Sequence, residues 1–439
     1  MRKRLALGGA VAALAATAFL LGGALSPAHD AAPAPAPVGG SLFPERYTPP
    51  YAGADTRRLV AALQRRLRHD PTEVRSLDLL GLGYEQRARE TGDPTYYPKA
   101  EGVLRRATAL SPGDSVAVGG LASLALSRHR FRDALAFGRD ALRRAPRSGT
   151  NWGIVGDALL ELGRYPEAFR AFDRMARVAP GLPAYARISY ARELLGRPQA
   201  AIELMRDAVA ASGLQREPFA WTSTQLGKLY WSIGRLDAAE LQYRRALTVF
   251  PGYVFALDAL AQVEAAHGRY TRAVAVERRA VDRTPLPQFV SALGDLYRVD
   301  GRPLMARRQY ALMTAIARLL RANGVKTDLE LALFQVDHGL RLRAALALAR
   351  SAQRDRPSID GDDLMAWALA RTGHCGEARR YSRRALRLGT RDAPKYFHRG
   401  MIERCLGRHA AARGWFQHAL ALNPHFSLLW APYARRYAR

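Results

Sequence analysis

Cysteine, lysine and acidic residues are all scarce in this chain. Its 439 residues include Cys 2, and lysine stands only at Lys3, Lys99, Lys228, Lys326 and Lys395. Acidic residues number 39 against 67 basic ones, a formal net charge of +28. Such a balance directs attention to polyanions, but here nearly all the cations are arginines in an alanine-rich background, so part of the charge is compositional. No nucleic-acid partner is expected. Chemistry-bearing motifs are missing too: there is no His-Glu-x-x-His pair, no phosphate-cradling glycine loop and no Gly-x-Ser-x-Gly elbow. Carboxylates stand singly among arginines, as Glu240 does four residues before Arg244, the spacing of a surface pair on one helix face. Neither a cofactor nor an enzymatic activity is expected.

What is present begins at the amino terminus. Arg2-Lys3-Arg4 precedes a stretch without charge from Leu5 through Ala28, long enough to cross the ~30 Å apolar layer of a bilayer. It reads as an export signal. Ser26-Pro27-Ala28 offers small residues for cleavage after Ala28, and the length of the run suits retention as an anchor with its positive end inside. Both alternatives place the body outside the cytoplasm, secreted or membrane-anchored. Residues 1–28 are therefore assigned to a signal peptide or anchor, and 29–54 to a Pro/Ala-rich linker of semi-rigid, extended character. Residues 55–439 form the folded body, for which the 48% of hydrophobic residues supply a core.

That body is periodic. In Gln225–Tyr253, Leu226, Gly227 and Tyr230 share one face of a first helix, and Gly234-Arg235 breaks it. Ala239, Tyr243 and Ala246 make the apolar stripe of a second helix, which Pro251 ends. The skeleton returns downstream as Leu260-Ala261, Glu264, Gly268-Arg269, Ala273, Glu277, Ala280 and Pro285. Upstream, Trp152, Gly156, Tyr165, Ala168, Phe172 and Pro180 form another copy, and the last one runs through Gly400, Gly407, Ala412, Phe416, Ala419 and Pro424. Small residues at the Gly227 and Ala239 columns let paired helices approach, with tyrosines filling the gaps.

This pattern resembles the tetratricopeptide repeat family, whose unit is a helical hairpin of ~34 residues. The resemblance implies an all-α solenoid, a right-handed superhelix of about ten units with capping helices at both ends. Asp55 is the expected N-cap of the first cap, with Leu59, Leu63 and Leu67 facing inward; Phe426, Leu429 and Trp430 point to a final helix before Pro432. Two departures predict a kink or a change of pitch. Arg192 stands where an apolar residue is expected, and Ala315–Lys326 lengthens one connection. The expected solenoid is open, and an open solenoid seldom encloses a reaction centre.

Family geometry also brings the cysteines together. Cys375 opens the second helix of one unit and Cys405 closes the first helix of the next, so in an oxidising compartment a disulfide is one outcome and two free thiols the other. A metal site formed with His374 and His409 matches no finger spacing, and none is assigned.

In the family, first helices line a concave groove that receives a partner segment. Helical spacing then points Tyr190, Trp221, Thr224, Lys228, Trp231, Phe255, Asp258, Gln262, Asp295, Arg298, Trp367, Phe397, Met401 and Arg404 inward. Aromatic anchors among polar groups are the composition of an interaction hot spot. Lys228 stands nearly alone among acids, which does not suit a clamp for a terminal carboxylate. On the outside, Arg105, Arg139, Arg206, Arg244, Arg278 and Arg383 recur late in second helices as a basic band. Two functions follow as expectations: an extracytoplasmic scaffold that holds a protein or peptide segment in the groove, or an envelope protein docked by the band to anionic lipid or wall polymer.

Overall fold

The computed structural model describes residues 56–213 and 215–439. The assigned signal or anchor, the linker and the Asp55 cap all lie outside the described residues. Every regular element among the described residues is a helix. After α1 (Thr56–His69) come ten hairpins: α2 (Val74–Thr91) with α3 (Tyr96–Leu110), α4 (Ser115–Ser127) with α5 (Phe131–Arg144), α6 (Gly149–Glu161) with α7 (Tyr165–Val178), α8 (Leu182–Leu194) with α9 (Pro198–Ala211), and α10 (Arg216–Ser232) with α11 (Leu236–Val249). The second five are α12 (Val254–Ala266) with α13 (Tyr270–Arg283), α14 (Pro287–Val299) with α15 (Pro303–Ala322), α16 (Asp328–Asp337) with α17 (Leu342–Asp355), α18 (Ile359–Arg371) with α19 (Cys375–Ala385), and α20 (Ala393–Cys405) with α21 (His409–Leu422). The short α22 (Ala431–Tyr437) closes the stack.

The two helices of a hairpin differ because they face different surroundings. First helices are buried on nearly all sides: along α4, every residue from Ala117 to Ser127 is buried, and the helix is apolar throughout. Second helices are amphipathic, as in α5, where Phe131, Ala134, Leu135, Gly138 and Ala141 face inward and arginines face solvent. Local signals start the first helices. The Asp114, Ser148, Ser358 and Asp392 side chains each accept a hydrogen bond from a backbone N–H of the first turn. The glycine column has a packing cause: a Cβ on Gly227 would collide with the ring of Tyr243, so glycine is what lets α10 and α11 touch.

The caps cover the two ends. From α1, Val60 and Leu63 are buried against the first hairpin, with Leu59 and Leu67 packed at the edge of the same cluster. At the other end the expected helix before Pro432 gives way to turns, from which Phe426 and Trp430 pack on Phe397; α22 begins only at Ala431, with Pro432 in its first turn, where a proline is tolerated. Without such covers each terminal unit would expose an apolar face.

The solenoid is not open as the repeat pattern predicts: successive coils touch along a seam. The turn between α4 and α5 meets the connection after α15, where Lys326 N–H donates to the Arg128 carbonyl at 3.0 Å and Arg128 Nη2 donates to the Asn323 carbonyl at 2.9 Å. One unit on, Arg356 donates through Nη2 to Glu161 at 2.8 Å, and Ile359 N–H donates to the Tyr165 hydroxyl at 2.7 Å. Next, the Thr390 hydroxyl donates to the Leu194 carbonyl. Finally, Asn423 Nδ2 donates to the Trp231 carbonyl at 2.9 Å. The partners stand 195, 194, 196 and 192 residues apart, so the register holds from unit to unit. Gly163 sits inside this seam with φ +70°, and a Cβ there would collide with the Pro357 carbonyl.

Of the two anticipated irregularities, the one at Ala315–Lys326 falls at an identifiable contact. The lengthened segment is a C-terminal extension of α15, a helix of 20 residues, whose end carries Asn323 to Arg128. Near the other, the buried cation is Arg187, which grips Asp157 of the preceding unit through Nε and Nη2 at 3.0 and 2.8 Å. Each of that pair is about 1% exposed, so the interaction stabilises only as an intact pair.

Candidate partner-binding lumen

Closure of the coils turns the groove into a lumen with two walls. One wall is made by the first helices α8, α10, α12 and α14; the other by the connections after α19 and α21, and by α22. Between them is a cavity of about 280 Å³ that continues into open solvent. Of the residues pointed inward by helical spacing, Tyr190, Lys228, Trp231, Phe255, Asp258, Gln262 and Asp295 line it. They come from four successive units, and Phe255 is braced edge-on by Phe289 at 5.5 Å.

The remaining seven candidates are placed elsewhere. Trp221 is buried in the core shared by α10 and its neighbours. Thr224 is fully buried, its hydroxyl donating to the Ala220 carbonyl at 2.6 Å. Trp367 is fully buried, with Nε1 donating to Asp337 at 2.8 Å and its ring stacked on His398 at 4.6 Å. Phe397 lies among Trp367, Phe416, Phe426 and Trp430. Met401 packs on the same cluster, and the Arg404 guanidinium lies 3.8 Å from the centre of the Tyr437 ring. Arg298 is half-buried outside the lining. The cause is geometric. A first helix presents one flank to the lumen and the adjacent flank to the next first helix, and apolar spacing is the same on both.

Sequence spacing missed part of the lining. Glu193 faces the lumen from α8, and Asp360, Asp392 and Lys395 face it from the opposite wall. Lys395 Nζ holds Asp360 and Asp392, both at 2.8 Å, and these acids keep its ammonium well above the usual lysine range although burial opposes them. Asp295 is likewise engaged, accepting from the Tyr310 hydroxyl at 2.7 Å and from His338 Nε2 at 2.6 Å. No signal in the sequence could have placed the second wall, because it arrives from nearly two hundred residues away.

Among the described residues, Glu193, Lys228 and Asp258 on the first-helix wall make no ion pair, nor do Arg391 and Arg435 on the opposite wall. Among the described residues Lys228 makes no hydrogen bond or ion pair; Glu193 and Asp258 flank it from the units before and after. Burial lowers the Lys228 ammonium pKa, the largest effect on it, and the two acids counteract this. Burial and the neighbouring Asp392 push the Glu193 carboxyl up to about 7. Asp258, which accepts from Gln262 at 3.2 Å, is pushed up to about 6 by burial against the pull of Lys228. Behind it, Glu277 of α13 is fully buried with neither carboxyl oxygen hydrogen-bonded, and burial raises its pKa well above the usual carboxylate range.

The six band arginines are all exposed on second helices. Arg105 pairs with Glu101 at 2.7 Å, Arg139 with Glu167 at 3.9 Å and Arg244 with Glu240 at 2.6 Å. Arg206 donates to the Tyr230 hydroxyl at 2.6 Å. Most of the band therefore serves the chain's own acids and rings, which leaves less of it for an external polyanion. Cys375 and Cys405 are bonded to each other across adjacent hairpins, with Cα atoms 5.8 Å apart.

These hairpins, their small-residue columns and their stacking match the tetratricopeptide repeat family, whose profile fits residues 120–183, 155–216, 224–286 and 364–425. With about half of its length so matched, the chain belongs to that family. Proteins of this family serve as scaffolds for protein–protein interaction. A sequence comparison with curated proteins found no match. Among solved structures, the chain is similar to TTC0263, a thermophilic tetratricopeptide repeat protein of Thermus thermophilus, at 21% identity over 48% of this chain and 99% of that one, with a TM-score of 0.36. YrrB, described as a repeat protein with an unusual peptide-binding site, shares 21% identity over 43% of this chain and 95% of its own, at a TM-score of 0.29. PilW, described as a type IV pilus biogenesis factor, shares 18% identity over 46% of this chain and 92% of its own, at a TM-score of 0.39.

Proposed function

We propose that this chain is an extracytoplasmic scaffold that captures a segment of a partner protein in the lumen, against the wall made by α8, α10, α12 and α14. The observation that carries this reading is the convergence of Tyr190, Trp231 and Phe255 with Lys228, Asp258 and Gln262 on one cavity. Aromatic rings there offer large apolar contact at little conformational cost, and the polar groups between them fix register. The opposite wall, built from Asp360, residues 390–395 and 423–428 and α22, restricts entry to the part of the lumen that opens to solvent.

Affinity capture with crosslinking, using the exported chain and a Trp231→Ala/Phe255→Ala variant, tests the site. Loss of the captured partner from the variant is expected; an unchanged partner set removes the lumen from the account. The extracytoplasmic location rests on the basic start and the uncharged run through Ala28. An export-dependent phosphatase fused after residue 54 is expected to be active, and an inactive, stable fusion would refute it.

A further inference from the structure

We infer that the lumen selects an extended segment whose charges alternate basic, acidic, basic at intervals of about three residues, complementing the row Glu193, Lys228, Asp258. The inference rests on the reading of the lumen as the partner site and adds the chemistry of the partner. Its starting point is which charges in the lumen are already satisfied. On the opposite wall Lys395 is held between Asp360 and Asp392, one cation paired to two carboxylates. Asp295 is held by Tyr310 and His338, and Arg435 donates to the Pro424 carbonyl at 2.6 Å. Arg391, on the opposite wall, is exposed to solvent. On the first-helix wall Glu193, Lys228 and Asp258 face the cavity with no ionic partner within hydrogen-bonding distance.

Their order along the superhelix gives the pattern. Glu193 is on α8, Lys228 on α10 and Asp258 on α12, the first helices of three consecutive units, so the wall reads negative, positive, negative. Where first helices pack directly, as α10 and α12 do, their axes lie about 8–10 Å apart. An extended chain advances about 3.3 Å per residue, so one unit of wall matches about three residues of ligand. A Lys-x-x-Glu-x-x-Lys segment sets a cation beside each acid and its carboxylate beside Lys228. The intervening side chains meet Tyr190, Trp231 and Phe255, which border the row. The upward shifts of Glu193 and Asp258 have the same origin, since burial leaves these carboxyls short of cations that a bound segment would supply. Glu277, which faces Asp258 from behind the wall, is fully buried without a hydrogen-bond partner and does not line the cavity.

The global charge makes the test discriminating. A chain of net charge +28 attracts acidic peptides non-specifically, so a preference for the peptide with two cations opposes the long-range field and has to arise locally. Fluorescence anisotropy at 150 mM salt with the full chain compares three labelled, end-blocked probes: Lys-x-x-Glu-x-x-Lys, Glu-x-x-Lys-x-x-Glu and Lys-x-x-Lys-x-x-Lys, each with the same neutral x residues. The first is expected to bind at least tenfold tighter than the second. Lys228→Glu, which makes the row uniformly acidic, is expected to move the preference to the third probe. Should Lys228→Glu lose its helical circular dichroism, Lys228→Met and Glu193→Gln replace it, and each is expected to shrink the preference at least threefold. Equal or tighter binding of the second probe, or a ranking untouched by folded Lys228 and Glu193 variants, overturns the inference. Failure of the parent reading looks different: the Trp231→Ala/Phe255→Ala variant then retains its captured partner whatever the probe ranking.

Discussion

The concave faces of the middle and the last units carry similar residues and meet different fates. In the middle, Trp231 and Phe255 border a cavity and Lys228 has no ionic partner. In the last units, Trp367 and Phe397 are sealed under Phe426 and Trp430, and the polar groups around them are paired within the chain: Trp367 with Asp337, Asp363 with His398 and Lys395 with Asp360. Aromatic content at the same helical spacing therefore does not define a binding surface. What separates the two regions is whether another piece of chain covers the ring and whether the nearby charges are paired.

The sharpest way to test that contrast is to truncate one ring in each region. Trp367→Ala is expected to destabilise the chain by roughly 3–5 kcal/mol, because its site is closed on all sides and a cavity would remain. Trp231→Ala, at a half-exposed ring, is expected to cost about 1 kcal/mol or less in urea unfolding while weakening partner capture. Comparable stability losses for both would erase the distinction between lumen and core.

A second test addresses the seam that creates the lumen. Arg356→Met leaves Glu161 buried opposite Tyr165 and Ile359 without its cation. A loss of about 2–3 kcal/mol is expected, moderated because burial already pushes Glu161 up to about 7 and lets it take a proton. Hydrogen exchange should quicken at residues 161–165 and 356–359 together, since the two stretches are bonded across the seam. Faster exchange confined to one stretch would argue against closure.

Acidity gives a third handle. Burial pushes Asp78 and Glu85 up to about 8, so between their unfolded values and pH 8 the folded chain binds protons that the unfolded chain releases, and stability falls as pH rises. His338 and His398 act in the same direction. Their pairing with Asp295 and Asp363 raises both imidazoles against burial, so this stabilisation is complete below the unfolded histidine value and disappears as pH climbs through the folded one. The chain is therefore expected to be more stable at pH 6 than at pH 9, by about 2 kcal/mol or more, judged from urea midpoints. A stability that rises over that range would contradict these assignments. The smallest effect is expected on the outside: Arg244→Ala, which breaks an exposed pair with Glu240, should change stability by about 0.5 kcal/mol or less and leave partner capture intact.

How much of this was legible in the sequence differs from feature to feature. The Gly227, Tyr230, Ala239 and Tyr243 columns located helix pairs and their close approach, because each contact lies within one unit. Phe426 and Trp430 marked the apolar cover of the last unit but not its helix, which begins only at Ala431. The division of candidates between lumen and core was not legible: Trp231 and Trp367 follow the same spacing, and only the neighbouring coil and cap tell them apart. Glu193, as an acid on a repeat helix, carried no mark of the cavity it faces.

By itself, then, the sequence determined the repeating hairpin, its capped ends and its membership of a scaffold family, since these depend on spacings of a few residues and on the fit of one unit to the next. The tertiary structure alone decided that the coils close. Hydrogen bonds between residues such as Arg128 and Asn323, 195 positions apart, depend on the accumulated twist of more than five units. Small angular increments per repeat leave no local pattern, yet their sum sets whether the concave face is an open groove or a walled lumen.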